Sequence, residues 1–274
     1  MPPFAGGKGV VWPAMTLHQL KGRIGRRIRW IELLPILISP SSFRRNELVI
    51  ITGADSSHFQ SLLQLLASLR RHEPGTRVVV FDLGLTKLER THLYAVFTAA
   101  EVRNFEYVQF PDHFNIKVEK GQYAWKPVIL SDALTEFKCT VCWMDAGNIV
   151  TAPLTWLRRI TNKLGIYSSR TSGAIRDWTH PGTLQYLGAS GGLIDRHNLC
   201  GACVAASYQN IGARRIIERW KECALVKECI APAGSSRANH RQDQAVLSVL
   251  AHKSGITAKM PVGRYGYKIQ QDID

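Results

Sequence analysis

The sequence predicts an α/β domain in which a mixed, mostly parallel sheet is flanked by helices. Three observations lead there. Short apolar runs alternate with stretches of helical period along the first half of the chain, the pattern of a sheet with helices on both faces. At 274 residues, 45% hydrophobic and 20% charged, the chain can bury one large core, and no repeat or low-complexity stretch divides it. An apolar run over 139–144 ends in one acidic residue, Asp145, followed by a small-residue turn. In open α/β sheets the crevice beyond the carboxyl ends of strands is where ligands bind.

The elements follow in order. Residues 47–52 read as a buried first strand and 53–57 as the loop after it. Residues 59–71 form a helix with Leu62, Leu65, Leu66 and Leu69 on one face, stopped by Pro74-Gly75. A second strand covers 77–82, a helix 86–100, and an alternating third strand 104–110. Pro127 suits the first turn of a helix that runs to 137 and leads into the Asp145 strand. Beyond it come a strand over 165–169, a loop or short helix over 176–187, and a run of small residues over 188–195. A helix over 212–226 and a polar-to-apolar segment over 239–250 complete the second half.

The net charge of +14 points to an anionic partner: nucleic acid, a membrane surface or a phosphate-bearing substrate. No nucleic-acid-binding module is visible, so nucleic acid is not expected. Part of the charge is local. Lys21, Arg23, Arg26, Arg27 and Arg29 crowd ahead of an apolar stretch over 30–38, too short for the roughly 20 residues that span a bilayer. Residues 1–46 read as a basic, partly disordered or membrane-proximal extension, with 21–38 able to touch a membrane surface, and 47–274 as the folded domain. Cys139-x-x-Cys142 and Cys200-x-x-Cys203 resemble half-sites for zinc, but their separation far exceeds the usual ~15–20 residues. In a strand, residues three apart also face opposite ways. Buried thiols or disulfides are expected.

A buried carboxylate must be paired, hydrogen-bonded or metal-bound, so Asp145 is the first candidate for chemistry. Asp55 stands at the end of the first strand, Lys126 on the helix before the Asp145 strand, and Asp243 where the last apolar helix begins. Each also has an ordinary reading: Asp145 and Asp55 as turn residues, Lys126 as a solvated cation, Asp243 as a helix cap and Asp195 as a solvated strand-end residue.

In order and spacing, these motifs resemble nucleotide-sugar-dependent glycosyltransferases of the GT-A fold. The likeness is to glycogenin-like and lipopolysaccharide galactosyltransferase-like enzymes and their poorly characterised animal and microbial relatives, over residues 47–252. Thr52-Gly53-Ala54-Asp55 resembles the loop that holds the nucleotide base. Trp125-Lys126-Pro127 resembles the lysine-bearing helix beside the donor. Trp143-Met144-Asp145-Ala146-Gly147 resembles the "DxD" metal and nucleotide loop. The 189–195 run, ending in Asp195, resembles the small-residue acceptor strand, and Asp243-Gln244 the later "DQ" helix.

The resemblance implies transfer of a hexose from a nucleoside diphosphate sugar, UDP-sugar first, to a glycan, lipid or protein acceptor. It implies a divalent cofactor, manganese or magnesium, at Asp145. It further implies donor contacts at Thr52, Gly53, Ala54, Asp55, Lys126, Ala146 and Gly147, and catalytic roles for Asp243, Gln244 and Asp195. For a eukaryotic source it implies the Golgi or another membrane-associated compartment, for a bacterial one the cytoplasm or its membrane surface. Two departures bear on metal use and turnover. The second Asp of DxD is here Gly147, with Asn148 beside it, and the late His-x-x-Gly-x-x-Lys segment survives only as a remnant over 263–268. Two alternatives stay open: a catalytically degenerate glycosyltransferase-like binding protein, and a nucleotidyltransferase, against which the acidic 53–57 loop argues.

Overall fold

Leu48–Asp55 forms the first strand, β1, of a sheet in a computed structural model that describes residues 47–256 and 263–274, with 34, 36 and 38 ahead of them. In chain order there follow α1 (Phe59–His72), β2 (Arg77–Gly84), α2 (Lys87–Val96), β3 (Glu101–Asn104), α3 (Trp125–Phe137), β4 (Thr140–Met144), β5 (Ile149–Val150), α4 (Thr155–Leu164) and β6 (Ile166–Ala174). Then come the short α5 (Ile175–Trp178) and α6 (Pro181–Tyr186), β7 (His197–Ser207), α7 (Ile211–Ala224), the single turn α8 (Lys227–Ile230), α9 (Gln242–Lys253) and β8 (Tyr267–Lys268).

Six strands lie in the order β3-β2-β1-β4-β7-β6. β1 pairs parallel with β2 and β4, and β2 with β3, while β7 runs antiparallel to both β4 and β6. The order reverses between β1 and β4, and a reversal of this kind opens a ligand crevice at the carboxyl ends of the two strands. Alternation along the strands divides the core. Leu48, Ile50, Cys142 and Met144 pack with the leucines of α1 and with Leu157 and Ile160 of α4. Val49, Ile51, Val141 and Trp143 face the other way, onto α3, α7 and α9. The basic extension, with the 21–38 stretch expected to be able to touch a membrane, falls almost wholly outside the described residues, although Ile36 is buried in the α1-side core. No helix among the described residues is long and apolar enough to cross a membrane.

Several segments differ from the sequence reading: α4 and β7 lie where no element was expected, β6 runs on to Ala174, and two further boundaries shift. The third strand lies at Glu101–Asn104 rather than 104–110, because Phe105, Phe110 and Phe114 leave the sheet to stack on one another, with centroids 4.8 and 4.9 Å apart in sequence order. The helix expected over 86–100 ends at Val96. Thr86 caps it, with Glu89 closing a capping box.

The cysteines divide by face. Cys142 lies in the α1-side core with its Sγ 3.8 Å from that of Cys203, while Cys139 packs on the opposite cluster. A disulfide joins Cys223, in the last turn of α7, to Cys229 in α8. A loop this short removes about 2 kcal/mol of chain entropy from the unfolded state. Cys229→Ser should therefore lower thermal stability by about that amount, and wild type in reductant should match it. A variant that melts with the oxidised parent would show that the bridge contributes nothing.

Candidate active site

A cavity of about 700 Å³ opens at the carboxyl ends of β1 and β4, where the strand order reverses. Gly53, Ala54 and Asp55 reach it from β1, and Asp145, Ala146 and Gly147 from the turn after β4. Lys126 enters from the first turn of α3, and Asp243 and Gln244 from the first turn of α9. Those residues were expected together and are brought together. Thr52 is fully buried beneath them and does not line the cavity.

Lys126 is the centre of the arrangement. It is 3% exposed, with its Nζ 3.0 Å from Asp145 Oδ1 and 3.0 Å from Asp243 Oδ2, and it donates to the Gly201 carbonyl at 3.3 Å. The rings of Tyr123, Trp125 and Trp143 surround the ammonium at 5.7–5.9 Å. Burial works against its charge, but the pull of Asp145 and then of Asp243 more than reverses this and holds its pKa above the ordinary lysine range. Lys126 is thus not the solvated cation of the ordinary reading: it stands between two carboxylates at the cavity wall.

The two carboxylates differ. Asp145 keeps a side chain 39% exposed, and Trp143 Nε1 donates to its Oδ1 at 2.6 Å. Its backbone N–H bonds Ala202 at 2.9 Å, which extends the β4–β7 ladder to the site, and its Oδ2 has no partner among the described residues. Beside it, Asn148 is buried and donates to the Ala202 carbonyl at 2.7 Å. Asp243 is 4% exposed. Burial raises its carboxyl pKa, Lys126 opposes the rise, and the charge of Asp145 adds to it. Trp220 fixes the Asp243 backbone by donating to its carbonyl at 2.8 Å.

Asp55 ends β1 and accepts from Ser57 N at 3.1 Å and Ser57 Oγ at 2.6 Å, with His58 Nδ1 at 3.2 Å and Lys120 Nζ at 3.4 Å. The His58 hydrogen bond, outweighing burial and helped by Ser57 and Lys120, keeps the Asp55 carboxyl far below the usual range, and the same bond raises the His58 pKa.

The small-residue run behaves otherwise than expected. Its glycines form a turn at Gly191–Leu193, and a Cβ at Gly191 or Gly192 would meet nothing. Asp195 lies exposed in an ion pair with Arg176 and does not line the cavity. Close approach is needed instead at Gly201 in β7, where a Cβ would stand 3.1 Å from Asp243 Oδ2 and 3.2 Å from Gln244 Cβ.

Sequence reasoning missed the cavity's arginines. Arg170, Arg237, Arg241 and Arg264 all line it, and none has a carboxylate partner among the described residues. Arg237 stands over the Tyr123 ring at 5.0 Å and Arg241 over Trp178 at 4.2 Å. The loop that carries them is anchored by His240, which is fully buried and bonded to the Ile230 carbonyl (2.8 Å) and the His180 N–H (3.2 Å). Also missed was the turn at Glu119–Tyr123, which brings Lys120 and Tyr123 to the cavity. All five of its residues have φ between 47 and 60°, a left-handed conformation of which Gly121 is the only sequence mark.

No curated protein matches the sequence. Residues 34–131 match a family described as "Protein of unknown function (DUF1647)". In structure the chain is similar to the galactosyltransferase LgtC in complex with donor and acceptor sugar analogs: 19% identity over 74% of this chain and 70% of that one, with a TM-score of 0.50. It is also similar to the bifunctional glycosyltransferase WbbM (11%, 78% and 38%, 0.48). A third similarity is to the glycosyltransferase GlyE of Streptococcus pneumoniae (14%, 76% and 44%, 0.44). The likeness to LgtC, with the six-stranded mixed sheet, gives the chain a GT-A-like glycosyltransferase fold.

Proposed function

We propose that the protein transfers a hexose from a nucleoside diphosphate sugar, with UDP as the favoured nucleotide, to a glycan, lipid or protein acceptor. One observation carries this reading. At the switch point of the sheet, one buried lysine joins a cavity-facing carboxylate, Asp145, to a buried one, Asp243, in a cavity lined by four arginines that have no carboxylate partner among the described residues. A sugar diphosphate carries an anion that must be held and must leave, and planar guanidiniums match phosphate oxygens. In this reading the first-strand loop at Gly53, Ala54 and Asp55 takes the nucleoside. Asp243 and Gln244 stand on the sugar side, where a carboxylate or amide stabilises positive charge developing at the anomeric carbon. Glycine at 201 lets Asp243 and Gln244 pack against the β7 backbone.

Hard oxygen donors suit magnesium or manganese, and Oδ2 of Asp145, which no described residue engages, is such a donor, so Asp145 fits a divalent ion. The ion would neutralise charge on the leaving diphosphate. Gly147 in place of an acid favours a second reading, a glycosyltransferase-like protein that binds donor without turning it over; hydrolysis of UDP-sugar separates the two.

The test is thermal unfolding with UDP, GDP, CMP and their sugars, with and without manganese. UDP at about 100 times its Kd should stabilise the fold by about 2.7 kcal/mol. Asp145→Ala should fold, since Lys126 keeps Asp243, yet lose the UDP shift. A variant that binds UDP as the parent does, or a parent that responds to no nucleotide, would refute the proposal.

A further inference from the structure

The place of the missing acid is filled by another part of the chain. A Cβ built on Gly147 would stand 2.2 Å from Oδ1 of Asp272 and 2.5 Å from its Cγ and Oδ2. The Asp272 carboxylate therefore packs directly on the α-carbon of Gly147 and takes the volume a side chain there would need. Asp272 lines the cavity, and no described residue hydrogen-bonds or ion-pairs with its carboxylate.

Its position is fixed from both sides. β8 pairs antiparallel with β5, Ile149 opposite Lys268 and Val150 opposite Tyr267, just after the Asp145 turn. Gln271 donates its N–H to the Gly147 carbonyl at 2.7 Å, and Gln64 of α1 donates to the Gln271 carbonyl at 2.8 Å. Past it, the Asp274 carboxylate caps the first turn of α1, accepting from Gln60 N at 2.7 Å and Ser61 N at 3.1 Å. The segment is tied down immediately before and two residues after Asp272, while the Asp272 carboxylate itself is left to the cavity.

We infer that Asp272 supplies the second carboxylate of the divalent-cation site whose first is Asp145, in the place that a side chain at residue 147 would occupy. The inference rests on the proposed donor chemistry. A hard cation gathers several oxygen ligands, and Asp145 alone offers little, since Trp143 and Lys126 already engage its Oδ1. Gly147 and Asp272 then form a matched pair: glycine is required at 147 because a Cβ would displace the carboxylate that replaces its own.

The test is a manganese titration of the full chain in the presence of UDP, following the free aqua-ion signal by electron paramagnetic resonance. Loss of even an outer-sphere partner costs about 10- to 100-fold in metal affinity, and Asp272→Ala should cost at least that. Gly147→Asp alone should also weaken binding, by collision with Asp272. Gly147→Asp with Asp272→Ala moves the carboxylate back to residue 147 and should restore affinity to within about tenfold of wild type. Wild-type affinity in Asp272→Ala, or a double variant no better than either single, would overturn the inference while the donor proposal stands. A wild type that binds UDP but no manganese would overturn it as well and leave UDP binding intact.

Discussion

Lys126→Met is expected to lower stability at neutral pH by about 3–5 kcal/mol, the usual consequence of removing one partner of a buried ion pair. For a chain of this size that is a fall in Tm of roughly 6–20 °C. The loss falls unevenly on the two carboxylates. Asp145, with its side chain 39% exposed, can turn to water. Asp243, at 4% exposed, is left charged and buried beside the charge of Asp145. Its folded carboxyl pKa is already raised, by burial first, and without the opposing charge of Lys126 it rises further. A group whose folded pKa exceeds its unfolded value of ~3.9 favours the fold when protonated. The penalty should therefore be full above the folded pKa of Asp243 and shrink as pH falls through it. Adding Asp243→Asn to Lys126→Met should recover most of the lost stability, because two neighbours in one network do not add. A Tm loss independent of pH, or a double variant less stable than Lys126→Met, would show that the lysine is not what makes Asp243 tolerable.

Much of this centre can be read in the sequence, and the unread part has a physical cause. β1 and β4 are short apolar runs that end in acids, so the pattern puts Asp55 and Asp145 at strand ends, and the pairing of β1 with β4 makes those ends neighbours. Lys126 is visible as a cation in a helix first turn, but not as a cation enclosed by two carboxylates, because enclosure depends on α9 arriving from more than a hundred residues away. Arg237 and Arg241 belong to a residue type common on every surface, and only the anchored His240 loop turns them inward. Glycine is the most ambiguous signal. The run at 188–195 stands out as small residues while the lone Gly201 does not, and only packing shows that the close approach is at Gly201. Gly147 reads as a lost ligand in one dimension and as room for Asp272 in three. The early exit of Phe105 from the sheet was hidden because alternating aromatics fit a strand and a stacked cluster equally well.

Asp243→Asn is expected to abolish most turnover of UDP-sugar while leaving the fold and UDP affinity nearly unchanged. The helix-cap alternative does not describe this residue: Arg241 is the N-cap of α9, and the Asp243 side chain points into the clamp with Lys126. Asparagine preserves its shape, its backbone bond from Trp220 is untouched, and Lys126 keeps Asp145 and the Gly201 carbonyl. Relief of one buried charge offsets much of the lost attraction, so Tm should move by only a few degrees. Turnover has no such compensation. A full charge facing an oxocarbenium-like transition state stabilises that state more than bound substrate. Loss of one preorganised electrostatic group of this kind costs about 10²–10³ in kcat. UDP carries no sugar, so its Kd should not register the change if Asp243 stands on the sugar side. Three measurements on one purified variant decide the matter: Tm, UDP affinity, and the rate of UDP-sugar hydrolysis. Unchanged hydrolysis would remove Asp243 from the chemistry. Parallel losses of UDP affinity and rate would place it beside the diphosphate. Only the separation of the two, at constant Tm, assigns its carboxylate to the transferred sugar.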